Sequence, residues 1–191
     1  MIKALTEGML LYHGSYCEVS KPDIEKCSPF KDFGRGFYLT TLRSQAEQFA
    51  RLSTGKALRN RLIQGSQNYG VVSVFRYRLS DQTKILVYPE ADEHWLRCIV
   101  SHRKRNVFGE IRKDLEKYDI IGGKIANDAT NATILTYMSG AFGEIGSKGA
   151  DEICIRLLLP ERLRDQYAFR TEKSLCQLEF MESIKVWMQA E

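Results

Sequence analysis

The sequence has no long hydrophobic run, and none of its apolar stretches approaches the ~18 residues that a membrane-spanning helix requires. It also lacks the N-terminal apolar stretch and small-residue cleavage site of a secretory signal. No segment is rich enough in proline, glycine or serine to read as a linker. These absences predict a soluble cytoplasmic protein with no membrane contact, in which residues 1–191 form a single domain.

Cysteine and histidine are scarce and scattered. The five cysteines never occur in the closely spaced pairs typical of zinc sites, and the three histidines lie apart from them in the sequence. This spacing predicts reduced thiols and no bound metal.

Charge is nearly balanced, with a formal net charge of +4. The exception is a group of basic residues towards the end of a predicted helix, Arg97 and His102–Arg105. Because the helix dipole favours cations at the C-terminus, this group indicates a solvated helix end. A nucleic-acid-binding patch is the alternative.

Apolar periodicity predicts a mixture of helices and strands. Helices are predicted over residues 41–60, 93–103 and about 132–139. Strands are predicted over residues 70–79, 84–88, 118–123, 166–170 and 177–186. The elements do not alternate regularly as strand, helix and strand, so the pattern favours an α+β fold over a doubly wound sheet.

Two short strand-type segments carry the residues that are most informative about function. Leu10–Ser15 reads Leu-Leu-Tyr-His-Gly-Ser, and 32–40 reads Asp-Phe-Gly-Arg-Gly-Phe-Tyr-Leu-Thr. Each segment contains one polar aromatic side chain, His13 or Tyr38. Neighbouring glycines let the backbone come close to a ligand. The two segments therefore indicate a site built from neighbouring strands.

In this order, the two segments resemble the first two signatures of the ADP-ribosyltransferases of the diphtheria-toxin and poly(ADP-ribose) polymerase type. Those signatures are a strand ending in His-Gly-Ser/Thr and a later Phe-Gly-x-Gly-hydrophobic-Tyr. Family members commonly carry a second stacking aromatic eleven residues after the tyrosine, where this chain has Phe49. Residues 118–128 look like a branch of small bacterial proteins near these transferases. The resemblance implies two small antiparallel β-sheets that form a cleft with helices around it.

The resemblance also implies that NAD is a substrate, whose nicotinamide–ribose bond breaks through an oxocarbenium-like transition state. The implied NAD-binding residues are His13, Gly14, Ser15, Arg35, Gly36, Tyr38 and Phe49. By resemblance, His13 bonds a ribose hydroxyl and the Gly14 backbone holds the nicotinamide carboxamide. Tyr38 and Phe49 enclose the nicotinamide ring. Arg35 either contacts the NAD pyrophosphate or is a solvated turn residue.

The third family signature is a strand that begins with glutamate, and its counterpart here is Asp165–Phe169. This match puts Gln166 where the family has its catalytic glutamate, so the implied catalytic residues are His13, Tyr38 and Gln166. An amide accepts a hydrogen bond from ribose but has no charge to stabilise a cation. Three functions stay open: mono-ADP-ribosyl transfer, binding of NAD or ADP-ribose without chemistry, and hydrolysis of NAD.

The implied acceptor of ADP-ribose is a macromolecule, either protein or nucleic acid. By resemblance, the context is a bacterial toxin or effector restrained by a small neutralising partner protein. Asn127 and Asp128 either cap the helix that follows them or form a wall on the acceptor side of the cleft.

Overall fold

A computed structural model of the chain describes residues 2–125, 128–159 and 163–188, and only the backbone of residues 128 and 129. The strands are β1 (Leu10–Ser15), β2 (Phe37–Leu39), β3 (Tyr69–Tyr77), β4 (Ile85–Val87), β5 (Ile120–Lys124), β6 (Asp165–Phe169) and β7 (Leu178–Trp187). The helices are α1 (Arg43–Arg59), α2 (Glu93–Arg103), α3 (Gly109–Leu115), α4 (Asp128–Met138), α5 (Lys148–Leu158) and α6 (Glu172–Leu175).

The strands form two small sheets, and this mixture of sheets and helices confirms the predicted α+β class. The first sheet has the order β1-β3-β7 and is antiparallel, with an irregularity between Val74 and Phe75. The second has the order β2-β6-β5-β4, in which β4 and β5 run parallel. The expectation of two antiparallel sheets is therefore wrong for this pair. The physical reason is that α2 and α3 lie between β4 and β5 and supply the long crossover that a parallel pair needs.

The two sheets meet at an isolated bridge between Tyr12 and Thr40. The Tyr12 amide donates to the Thr40 carbonyl at 2.8 Å, and the Thr40 amide donates to the Tyr12 carbonyl at 3.0 Å. Beyond the bridge, β1 and β2 belong to different sheets. The apolar layer next to this junction includes Leu11, Phe37, Leu39, Phe75, Tyr77, Ile120, Tyr167 and Phe169.

Helices cover the remaining faces of the two sheets. Helix α1 packs on the first sheet, where Ala46 and Ala50 contact a cluster of valines. Helix α2 lies over the second sheet, with its Trp95 and Ile99 in one buried cluster with Ala168 of β6. Besides the apolar layer at the junction, the helices therefore bury two further clusters, one under α1 and one under α2.

Some global features follow from the described part of the chain. None of its helices combines the length and the apolar character needed to cross a membrane. The five cysteines are free. Within the described residues, no group of three or more histidine, cysteine, aspartate or glutamate side chains is arranged to hold a metal ion.

Candidate functional site

His13 lies on β1 directly after the bridge that joins the two sheets. Its Nδ1 lies 2.8 Å from the carbonyl oxygen of Tyr38, and since a carbonyl only accepts, Nδ1 carries the proton and donates. The ring packs against Phe37 with the centroids 4.3 Å apart. Burial lowers the pKa of His13 and so favours the neutral ring. Nε2 is then an acceptor that suits a hydroxyl donor.

Gly14 combines a closed face with an open edge. An added β-carbon would lie 2.7 Å from the Ala50 nitrogen and closer still to the Ala46 carbonyl oxygen, so α1 sits directly on this glycine. The backbone groups of Tyr12 point sideways to Thr40, away from β3. The direction of the backbone groups alternates from residue to residue along a strand, so residues two apart are equivalent. The N–H and C=O of Gly14 therefore point away from β3, as those of Tyr12 do. An amide ligand at this edge can pair with both groups.

The ring of Tyr38 points away from His13. Its hydroxyl donates to the Gly34 carbonyl at 2.8 Å and accepts from the Phe33 amide at 3.0 Å. Side chains alternate along β2, so Phe37 faces the junction of the sheets and Tyr38 packs against the cluster that includes α2. Burial raises the pKa of Tyr38 well above its usual range and keeps the phenol protonated. The structure thus brings the carbonyl of Tyr38, rather than its ring, to His13.

The other predicted NAD-binding residues lie around this edge and beyond it. Phe49 is on α1, next to Ala50, and 42% of it is exposed. Ser15 ends β1 and is half-buried. Gly36 faces β6, where a β-carbon would lie 2.9 Å from the Phe169 carbonyl oxygen. Arg35 is 3.2 Å from the Glu25 carboxylate and lines a separate cavity. Phe49 is therefore the predicted aromatic whose ring surface is most open to a ligand.

Gln166 is buried on β6 and is tied to a carboxylate that the sequence did not reveal. Its side-chain amide donates to Oδ2 of Asp32 at 3.3 Å. Oδ1 of Asp32 accepts from Nε of Arg103 at 3.1 Å and also from its Nη2. Arg103 in turn donates from Nη1 to the Asn131 side chain at 2.8 Å. The position predicted to be catalytic is therefore part of a polar network with a fixed negative charge.

The three predicted catalytic side chains do not all converge. Tyr38 pairs with Ala168 across β2 and β6, and Gln166 lies two residues from Ala168, so Tyr38 and Gln166 share one face of the second sheet. His13 packs on Phe37, which belongs to the opposite face. The structure brings together Tyr38 and Gln166, and separately joins His13 to the Tyr38 backbone.

The side chains of the two predicted acceptor-side residues lie outside the described part of the chain. Asn127 lies outside the described residues. Asp128 begins α4, and its side chain is also outside the described part. Their role as a helix cap or as a wall of the cleft stays a prediction.

The basic group at the end of α2 is not a solvated helix end, so that interpretation is wrong for most of its members. Arg97 donates from Nε to Asp151 at 2.9 Å, and Arg103 binds Asp32. His102 is only 8% exposed. Asp151 on α5 neutralises Arg97, and Asp32 in the loop before β2 neutralises Arg103. In the sequence, the basic group drew attention to Arg103 but not to its partner Asp32.

The partly buried His13 and the buried His102 predict that the protein loses stability as the pH falls below about 6.5, the pKa of an unperturbed histidine. Burial lowers the pKa of both His13 and His102, so the unfolded state takes up protons first. When the pH is lowered from about 7.5 to about 5.5, we expect each of these two histidines to reduce the free energy of unfolding by about 1 kcal/mol. Denaturant titrations at the two pH values measure this loss.

The matched control for the pH experiment is His94, whose side chain is 73% exposed. His94→Gln should leave the pH dependence unchanged, whereas His13→Gln and His102→Gln should each make it shallower. An unchanged slope in both of the latter variants would contradict the assignment.

The model of a family described as "Protein of unknown function (DUF3990)" matches residues 9–180, so the chain belongs to this family. The matched range runs from the residue before β1 into β7 and contains His13, Asp32, Tyr38 and Gln166. A search of curated proteins finds no match to the chain.

Proposed function

We propose that this member of a family of unknown function uses NAD as a substrate and transfers ADP-ribose to a macromolecular acceptor. The proposal rests on the resemblance of its strand motifs to those of ADP-ribosyltransferases of the His-Tyr type. The observation that carries it is the edge of β1, where His13 is followed by Gly14, and Gly14 lies against Ala50 of helix α1, the residue after the exposed Phe49. On this proposal, the domain has the ADP-ribosyltransferase fold.

In the proposed complex, the edge of β1 recognises the nicotinamide half of NAD. The carboxamide pairs with the N–H and C=O of Gly14, which point sideways from the strand. The nicotinamide ring stacks on Phe49, and a ribose hydroxyl donates to Nε2 of the neutral His13. Each of these contacts uses a group whose orientation is set by β1 or α1.

The proposed reaction breaks the bond between ribose C1′ and the nicotinamide nitrogen, and nicotinamide leaves with the bonding electron pair. A nucleophile of the acceptor, protein or nucleic acid, then forms a bond to C1′ and loses its proton to solvent. The developing cation is stabilised by hydrogen-bond acceptors and negative charge near the ribose. Gln166 has no charge and lies on the face of the second sheet opposite to Phe37 and His13, bonded to Asp32, so we expect at most a slow transferase that adds a single ADP-ribose.

The second candidate function is binding of NAD or ADP-ribose without chemistry. It is favoured by the amide of Gln166, which is buried and donates to Asp32 at 3.3 Å instead of standing free as a carboxylate. Hydrolysis is a variant of the first function in which water attacks the sugar.

The test is to incubate the protein with NAD and a cell lysate, and to follow small molecules and acceptors by mass spectrometry. Nicotinamide together with an acceptor heavier by one ADP-ribose supports the transferase. Nicotinamide together with free ADP-ribose indicates hydrolysis. If NAD binds but no nicotinamide appears, the protein is a binding module and the proposed transfer is wrong.

Phe49→Ala is expected to weaken NAD binding about two- to tenfold, because an aromatic stack contributes roughly 0.5 to 1.5 kcal/mol. The side chain is exposed, so its removal should leave the fold intact. Isothermal titration calorimetry measures the affinity. Leu52→Ala, at another exposed apolar residue of α1, is the matched control and should bind NAD as the wild type does. Equal affinities for both variants would rule out the stack on Phe49.

A further inference from the structure

A cavity of about 400 Å³ lies beside the turn at Gly34, between the loop before β2, the end of α2 and helix α3. Its lining carries four guanidinium groups, those of Arg35, Arg105, Arg112 and Arg170. Glu116 is the carboxylate among its lining residues. Among the described residues, Arg35 alone of the four is paired with a carboxylate outside this lining, Glu25, so the cavity has an excess of positive charge.

Two buried nitrogen atoms of the lining have no hydrogen-bond partner among the described residues. They are Nε of Arg170 and Nε2 of His102. The Arg170 guanidinium is held in place, because its Nη1 donates to the Leu115 carbonyl at 2.6 Å. Only 8% of His102 is exposed. A buried polar atom without a hydrogen-bond partner costs free energy, and such atoms are rare. A ligand that carries both a hydrogen-bond acceptor, for Nε of Arg170, and a donor, for Nε2 of His102, would pair with these two atoms.

The required donor follows from the state of His102. Its Nδ1 lies 2.9 Å from the carbonyl oxygen of Cys98 and must donate to it. Burial, and then the nearby Arg170 and Arg112, lower the pKa of His102 and favour the neutral ring. Nε2 is then an acceptor, which suits a hydroxyl group. The guanidinium groups around it suit an anion such as phosphate.

An aromatic ring completes the lining. Phe30 is 60% exposed at the mouth of the cavity. The guanidinium of Arg105 lies over this ring at 5.4 Å from its centroid. An exposed aromatic side chain beside arginines is the combination on which nucleic-acid bases stack while their phosphates are neutralised.

From these observations we infer that the cavity binds a ribonucleotide. The phosphate contacts the guanidinium groups, among them Arg112 and Arg170, whose charges act on His102. A ribose hydroxyl donates to Nε2 of His102 once the turn at Gly34 that covers this atom shifts, and the base stacks on the face of Phe30 away from Arg105. A phosphorylated protein side chain would satisfy the arginines but would not use the exposed surface of Phe30, so a nucleotide fits the whole lining better.

This site is separate from the edge of β1 proposed to hold nicotinamide. The residues that line the cavity do not include His13, Gly14 or Phe49. Tyr38 contacts both places with different groups, since its carbonyl accepts from His13 and its hydroxyl donates to the carbonyl of Gly34, which lines the cavity. The inference therefore stands whether or not the proposed NAD reaction is correct.

The experiment is calorimetric titration of the full chain with adenosine monophosphate, inorganic phosphate and adenosine. We expect the nucleotide to bind at least tenfold more tightly than either part alone. Absence of nucleotide binding, or equal affinity for phosphate and the nucleotide, would overturn the inference. A short oligoribonucleotide with and without a 5′ phosphate distinguishes a strand end from a free nucleotide as the source of the ligand.

Arg112→Gln tests the site directly and is expected to weaken nucleotide binding about tenfold, since a charged hydrogen bond is lost. Arg156→Gln makes the same charge change on an exposed residue of α5 and should have no effect. Thermal melting confirms that both variants fold. If Arg112→Gln binds the nucleotide as the wild type does, or if Phe49→Ala weakens it equally, a separate site in this cavity is refuted.

Discussion

Gly14→Ala is expected to lower the free energy of unfolding by about 3 kcal/mol, which makes it one of the two most damaging single changes that we predict. The new methyl group would lie 2.7 Å from the Ala50 nitrogen and closer to the Ala46 carbonyl oxygen. Both are main-chain atoms of α1 and cannot swing aside as a side chain does. Helix α1 would have to move off the first sheet, which opens the cluster around Ala46 and Ala50. Denaturant unfolding measures the loss.

The matched control is Gly149→Ala in the first turn of α5. A β-carbon at Gly149 meets no atom within 4 Å, and alanine is a better helix former than glycine. We expect this variant to be as stable as the wild type or more stable by roughly 0.5 kcal/mol. If Gly14→Ala unfolds at the same denaturant concentration as the control, the close approach of α1 to β1 is wrong.

Gln166→Glu is expected to destabilise the protein by about 3 kcal/mol at neutral pH, although it restores the residue that the resembling transferases carry. The side-chain amide of Gln166 donates to Asp32 at 3.3 Å, so the change replaces a hydrogen bond with two facing carboxylates. Arg103 already donates to Asp32 and Asn131. Its single positive charge offsets only one of the two carboxylates.

The pH dependence of this variant follows from the same contact. The neighbouring carboxylate and burial raise the pKa of the introduced carboxyl group in the folded state above its unfolded value. The group is neutral in both states well below about pH 4.3, so the deficit is small there and grows as the pH rises. Unfolding titrations from pH 4 to pH 8 measure this trend. A deficit that is constant over the range would contradict the facing arrangement.

The double variant Asp32→Asn, Gln166→Glu is the decisive companion. The variant exchanges the carboxylate at position 32 with the amide at position 166. The new amide, in the loop before β2, donates to the new carboxylate on β6. The oxygen of this amide still accepts from Arg103. We expect most of the lost stability to return, because the net charge and the hydrogen bonds that join positions 32, 103 and 166 are those of the wild type. Recovered stability without any nicotinamide release, with NAD still bound, would favour the binding module.

The sequence predicted those elements whose signal is local. Helix α2 coincides with the predicted range 93–103, and α1 falls within the predicted range 41–60, because an apolar stripe at helical spacing is visible in each. Helices α3 and α5 were not predicted. Helix α3 has only seven residues and follows Phe108 in a left-handed conformation. Both helices contain a glycine in their first turn, which weakens the local signal.

The site divides in the same way. The sequence by itself determined that His13 with Gly14, and Tyr38, stand on short strands, and that an amide occupies the start of β6. Strand alternation and glycine placement are properties of neighbouring residues, so they can be inferred without a fold.

Only the tertiary structure decided which groups meet. Gln166 and Asp32 are 134 positions apart, and Arg103 and Asp32 are 71 positions apart, yet they form one network. The tertiary structure also turned the ring of Tyr38 towards α2, and it gathered arginines from four separate segments around one cavity. These contacts depend on how sheets and helices pack across the chain, and a pattern of adjacent residues carries no information about that register.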